Sequence, residues 1–191
     1  MEIMQKFALN APPQSVWAFL TDPYQVVSCL PGARITEKID DRMYTGTVTV
    51  KIGPVTANYK GKICFERLDP QKHEAEIVGR ADETKGRGGA EMRMVSCLSP
   101  VEGGGSEVSI LSEVNLIGIL AQFGRGMIQD VSEQIFQQFA SCMKSKLEAA
   151  APGGRLPIPP ATDKLDIFSL ASKVLGRQLK RIAGRLGLSK S

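Results

Sequence analysis

The sequence predicts an α+β domain in which an antiparallel sheet wraps around one long C-terminal helix. Apolar residues alternate with period two from residue 33 to about 116, and the spacing switches to three or four residues over 119–148. The alternating runs are joined by short glycine-bearing connections, which mark hairpins between neighbouring strands. A strand, two helices, a run of strands and a long helix, in that order, form the α+β pattern.

Ile3, Phe7 and Leu9 give a short first strand, stopped by Asn10-Ala11-Pro12-Pro13. The two prolines suit the first turn of a helix, where the amide hydrogen they lack would be unpaired anyway. A helix through Val16-Trp17-Ala18-Phe19-Leu20 follows and ends before Pro23. A second short helix spans about 24–29 and is closed by Pro31-Gly32. Strands are then expected at 44–52, 55–65, 74–84, 90–98 and 106–116. Gly53-Pro54, Gly86-Arg87-Gly88-Gly89 and Gly103-Gly104-Gly105 supply the turns. Leu120, Phe123, Met127, Val131, Ile135, Phe139 and Met143 mark the apolar face of the last helix of the domain.

A chain of 191 residues with 42% hydrophobic and 23% charged residues has the material for a packed domain. A domain of roughly 150 residues buries about 70% of its unfolded surface. No apolar run reaches the roughly 18 residues of a membrane-spanning helix. The opening Met1-Glu2-Ile3-Met4-Gln5-Lys6 lacks the basic and apolar regions of a secretory signal, so a cytoplasmic location is expected. Cys29, Cys64, Cys97 and Cys142 lie more than thirty residues apart and form no CxxC pair. They read as small buried thiols in a reducing compartment, with neither a disulfide framework nor a zinc site.

Charge divides the chain in two. Residues 1–150 carry 16 Lys/Arg against 18 Asp/Glu, whereas residues 151–191 carry 8 against 2. Pro152, Gly153, Gly154, Pro157, Pro159 and Pro160 make 149–162 an extended linker. Beyond it, over 163–191, Leu165, Phe168, Ala171, Leu175, Leu179, Ile182 and Leu186 fall on one helical face, and Lys173, Arg177, Lys180, Arg181 and Arg185 on the other. That combination is the pattern of a helix lying in a membrane interface. Each cation beside an anionic leaflet contributes about 1 kcal/mol, and each fully buried large apolar side chain about 1.5–3 kcal/mol. Docking on a partner protein, packing back on the domain and nucleic-acid binding are the competing roles. Nucleic acid ranks last, because the tail interleaves no Tyr or Trp with its charges.

Chemistry that breaks bonds usually needs a positioned His, a Cys/His pair or paired carboxylates. The one histidine, His73, falls in the turn Asp69-Pro70-Gln71-Lys72-His73 and reads as solvated. No spacing of His, Cys or Asp suits a metal, so no metal and no catalytic residue is expected. Strand parity instead sets small and flexible residues inward. The expected lining is Tyr59, Gly61 and Phe65 on one strand, Ile77 and Gly79 on the next, Met92 and Met94 on the third, with Phe123, Met127 and Val131 from the helix. A sheet that curls around a helix while presenting glycine and alanine leaves room for an apolar ligand, and methionines suit a flexible one. The opposite outcome is that Phe123, Met127 and Phe139 fill that room.

The run from Asn10 to Pro23, the segment Cys29-Leu30-Pro31-Gly32-Ala33 and the strand from Tyr44 to Pro54 resemble the carbon monoxide dehydrogenase CoxG family. Tyr59-Lys60-Gly61, Gly79-Arg80-Ala81-Asp82 and the turn at Gly86–Gly89 also look like it, so the similarity covers about residues 1–148. The resemblance implies a START-related (SRPBCC) helix-grip fold: about seven antiparallel strands gripping the long helix, with a cavity between. It also implies a non-enzymatic accessory role beside a CO dehydrogenase-type molybdenum hydroxylase, on the inner face of the cell membrane. The ligand it implies is a respiratory quinone, menaquinone or ubiquinone. The alternative is an assembly or recruitment factor with no ligand cavity.

Overall fold

The computed structural model describes residues 1–86 and 88–149. The linker and the amphipathic tail with its Phe168, Lys173, Leu175, Arg177, Leu179, Lys180, Arg181, Ile182, Arg185 and Leu186 lie outside the described residues.

The first strand, β1 (Glu2–Leu9), leads through two prolines into α1 (Pro13–Leu20) and α2 (Pro23–Val27). Pro13 opens α1, and the Asp22 carboxylate caps α2 by accepting from the Tyr24 and Gln25 amides. Six strands follow in a meander: β2 (Ala33–Lys38), β3 (Met43–Ile52), β4 (Val55–Asp69), β5 (Glu74–Glu83), β6 (Gly88–Val101) and β7 (Gly105–Gly118). All neighbours pair antiparallel, and β1 joins β7, giving the order β1-β7-β6-β5-β4-β3-β2. The expected antiparallel sheet is therefore present. Its strands are longer than the alternation alone marks, because β4, β6 and β7 run to 14 or 15 residues.

Two bulges let such long strands curl. In β4 the register shifts between Phe65 and Arg67, which returns Leu68 to the face that buries Phe65. In β2 it shifts between Ile35 and Glu37.

The single helix expected over 119–148 is broken. A 3-10 turn (Leu120–Phe123) ends at Gly124, whose φ of +75° is left-handed and suits glycine, and α3 (Gly124–Ala149) starts there in a new direction. Ile128, not Met127, is then the buried side chain of the first turns, and Met127 is 46% exposed.

The cysteines correct the expectation of four free thiols. Cys29, just past α2, is bonded to Cys142 on α3, with Cα atoms 5.5 Å apart across 113 residues of sequence. Ser28 beside it receives a 2.5 Å hydrogen bond from the Lys146 ammonium, one turn further along α3. Spacing does not reveal the pair, because only the folded meander brings α2 under the C-terminal half of α3. Cys64 and Cys97 are free but only half-buried. With one pair bonded, a reducing compartment no longer follows from the cysteines. His73 is also less solvated than expected: it is half-buried, with its ring 5.5 Å from that of Trp17.

Candidate functional site

The apolar interior is divided among three clusters. The first packs Val16 and Phe19 of α1 and Cys29 against Leu98, Val108 and Ile110 of the sheet and Phe139 and Met143 of α3. The second gathers Ile52, Ala57 and Tyr59 of the β3–β4 hairpin under Leu120 and Val131. The third holds Tyr44, Phe65 and Ile77, with the Tyr44 and Phe65 rings edge-on at 6.4 Å. A domain of this size commonly has one contiguous core.

The sheet register explains the division. One cross-strand row runs Ile63, Gly79, Met92, Val114 over β4 to β7. The next row runs Gly46, Gly61, Ala81, Ala90, Leu116. Both rows share the parity that faces α3. Nearly every residue in them is small or flexible, and all are only half-buried. Met92 and Val114 belong to none of the clusters.

The ten residues expected to line a cavity fall around this band. Tyr59, Phe65, Ile77 and Val131 are buried in the second and third clusters, and Phe123 packs against the second from the 3-10 turn. Gly79 and Met92 lie within the band, and Met94 bridges the first and third clusters. Gly61 lies in the band for a different reason from the one expected. A side chain there would overlap the Arg80 carbonyl oxygen, so its bareness lets β4 and β5 approach and leaves no room of its own. At Gly79 an added methyl would meet the Ile63 and Met92 side chains at 3.6 Å, which is ordinary contact.

Two shallow depressions open on the other face of the sheet, where the strand positions have opposite parity. The smaller, about 460 Å³, is bordered by Thr45, Lys60, Lys62, Cys64, Arg80 and Asp82. The larger, about 610 Å³, is bordered by Glu2, Glu66, Arg80, Glu91, Arg93 and Glu113. Their charges are partly paired: Arg93 meets Glu76 at 2.6 Å and Arg80 meets Glu91 at 3.5 Å. Both lack an apolar interior and are distinct from the band.

Polar groups at the helix-facing end of β4 and β5 are absent from the lining expected from the sequence. Glu83 is 5% exposed and continues the inward parity of Ala75, Ile77, Gly79 and Ala81, the signal by which it could have been found. The Lys85 amide donates to its carboxylate at 2.9 Å. Tyr59, directly across the ladder from Glu83, is 3% exposed, and its hydroxyl has no hydrogen-bond partner. Burial first, and the Glu83 charge second, push the Tyr59 phenol above its ordinary pKa, which keeps it protonated. The side-chain oxygen of Gln134 on α3 is also buried without a partner. Among the described residues no three His, Cys, Asp or Glu side chains gather to hold a metal, and no helix is long and apolar enough to cross a membrane.

Known structures share this architecture. A conserved protein from Geobacillus kaustophilus superposes with a TM-score of 0.70 at 18% identity, covering 77% of this chain and 95% of that one. The Zhui aromatase/cyclase from Streptomyces sp. R1128 gives 0.60 at 14% identity, covering 81% and 99%. A START superfamily protein from Mycobacterium smegmatis gives 0.50 at 11% identity, covering 77% and 97%. At such identities the likeness concerns the fold. None of the curated proteins matches the chain. The family model for the carbon monoxide dehydrogenase component CoxG matches residues 6–148, a span that takes in six whole strands, most of β1 and nearly all of α3. This chain, a START-like helix-grip protein, belongs to the carbon monoxide dehydrogenase CoxG family.

Proposed function

We propose that the chain is a non-enzymatic accessory protein that takes up a hydrophobic ligand, a respiratory quinone, between its sheet and α3. In this reading it serves a CO dehydrogenase-type molybdenum hydroxylase, and its basic amphipathic tail docks on the anionic inner face of the cell membrane, where such a ligand resides. The observation that carries the reading is the band of small and flexible helix-facing residues, Gly79 and Met92 at its centre, which interrupts the core. A long apolar guest there would complete what the three clusters leave unjoined, and each buried CH₂ of it would contribute about 0.8 kcal/mol.

Delivery and storage belong to different parts of the chain. An apolar ligand held in a bilayer needs a carrier that reaches the bilayer, and a tether of about fourteen residues (149–162) lets the domain swing while attached. Ile117, 60% exposed, and Met127 place apolar surface near the start of α3, which suits an end that meets lipid.

Replacing Lys173, Arg177, Lys180, Arg181 and Arg185 together by glutamate tests the division of labour. The variant is expected to lose partition onto liposomes containing anionic lipid while still binding a soluble short-chain quinone with unchanged affinity. Partition that survives the substitutions would contradict the docking role. Absence of quinone binding by the unaltered chain would leave an assembly or recruitment role in its place.

A further inference from the structure

We infer that the Tyr59 hydroxyl and the Gln134 side-chain amide are the polar groups that fix the head of the ligand, and that this head is a ring bearing carbonyl or phenolic oxygens. The inference rests on the ligand-carrier reading above and adds to it where in the interior the head lies and which atoms hold it.

A buried hydroxyl or amide without a partner costs about 1–3 kcal/mol, so folded chains rarely keep one without a use. Here there are two, and they belong to one region. Tyr59 is packed in the cluster that contains Val131 of α3, and Ile135 packs against the same cluster. Gln134 lies between these two in sequence, three residues beyond Val131, so it is a neighbour on the helix surface. Along β4, Tyr59 stands two residues from Gly61 on the same face, and so borders the small-residue band directly.

The chemistry of the two groups narrows the occupant. Tyr59 is held neutral by its burial and by the Glu83 carboxylate across the ladder. A neutral phenol donates a hydrogen bond to a carbonyl oxygen and accepts one from a hydroxyl. The Gln134 amide can do either by turning its oxygen or its nitrogen toward the ligand. An anionic head is disfavoured, because Glu83 lies on the same inward face and is buried. A hydrocarbon alone would leave both groups unpaired. What remains is an uncharged oxygen-bearing ring on an apolar stem, with the stem running along the band toward Gly79 and Met92.

Tyr59→Phe removes only the hydroxyl, and Gln134→Met replaces the amide by an apolar chain of similar length. Binding to full-length protein is measured by calorimetry with two probes, 2-methyl-3-prenyl-1,4-naphthoquinone and the oxygen-free 2-prenylnaphthalene. Each variant is expected to bind the naphthoquinone about tenfold more weakly, the loss of one buried hydrogen bond, and to bind the naphthalene as the unaltered chain does. Tyr59→Phe is also expected to melt no lower than the unaltered chain, since it deletes a buried group that bonds to nothing. Unchanged naphthoquinone affinity in both variants, with binding by the unaltered chain intact, would overturn the head-group assignment and leave the carrier reading standing. Failure of the unaltered chain to bind the naphthoquinone would overturn both.

Discussion

Reduction of the Cys29–Cys142 bridge is expected to lower the melting temperature by roughly 10–20 °C. The bond closes a loop spanning 113 positions of sequence, and constraining a loop of that size removes about 4–5 kcal/mol of unfolded-state entropy. For a domain of this length each kcal/mol is worth about 2–4 °C. The bridge also lies against the first apolar cluster, where Met143 and Val16 are fully buried, so loosening it exposes the most tightly packed part of the interior. Calorimetry with and without dithiothreitol, and on Cys142→Ser, checks this. The same substitution at Cys64 or Cys97, neither of which is bonded, should move the melting point little. An identical melting point with and without reductant would show that the bridge carries no stability.

The two glycines of the central band are expected to respond oppositely to alanine. Gly61→Ala places a methyl group into the Arg80 carbonyl oxygen and within 2.6 Å of the Ala81 Cα, so β4 and β5 must separate. The neighbouring atoms are backbone and cannot swing aside. Overpacking of this kind costs about 1–3 kcal/mol, and a fixed backbone neighbour puts Gly61→Ala at the upper end, about 3 kcal/mol. Gly79→Ala meets only the ends of Ile63 and Met92 at 3.6 Å, and stability should change by no more than about 1 kcal/mol. Urea denaturation separates the two. Equal costs would mean that the strands are not held as closely at Gly61 as the register indicates.

These glycines also mark how far the sequence can be read. Period-two alternation from Tyr44 to Leu116 shows which faces of β3 to β7 turn inward, and Tyr59, Phe65 and Ile77 are buried accordingly. The alternation does not distinguish Gly61, bare for a strand contact, from Gly79, bare beside open contact, because that difference depends on the neighbouring strand's backbone. The helical spacing runs straight through Gly124, since a single glycine does not disturb a three-or-four-residue pattern, and so it puts Phe123 and Met127 on one face that the structure divides. The Cys29–Cys142 pair and the Tyr59–Glu83 juxtaposition are products of topology. Nothing local in the chain announces a contact between α2 and α3, whereas Glu83 lies on a parity that can be followed two residues beyond Ala81.

The proposed carrier role depends on an interior that admits a guest beneath α3. Mass spectrometry of an organic extract of the full-length protein, purified without detergent from cells that make quinones, tests this most directly. A quinone recovered at close to one per chain is the expected result. An extract free of quinone, from protein that also takes none from quinone-loaded liposomes, would contradict it.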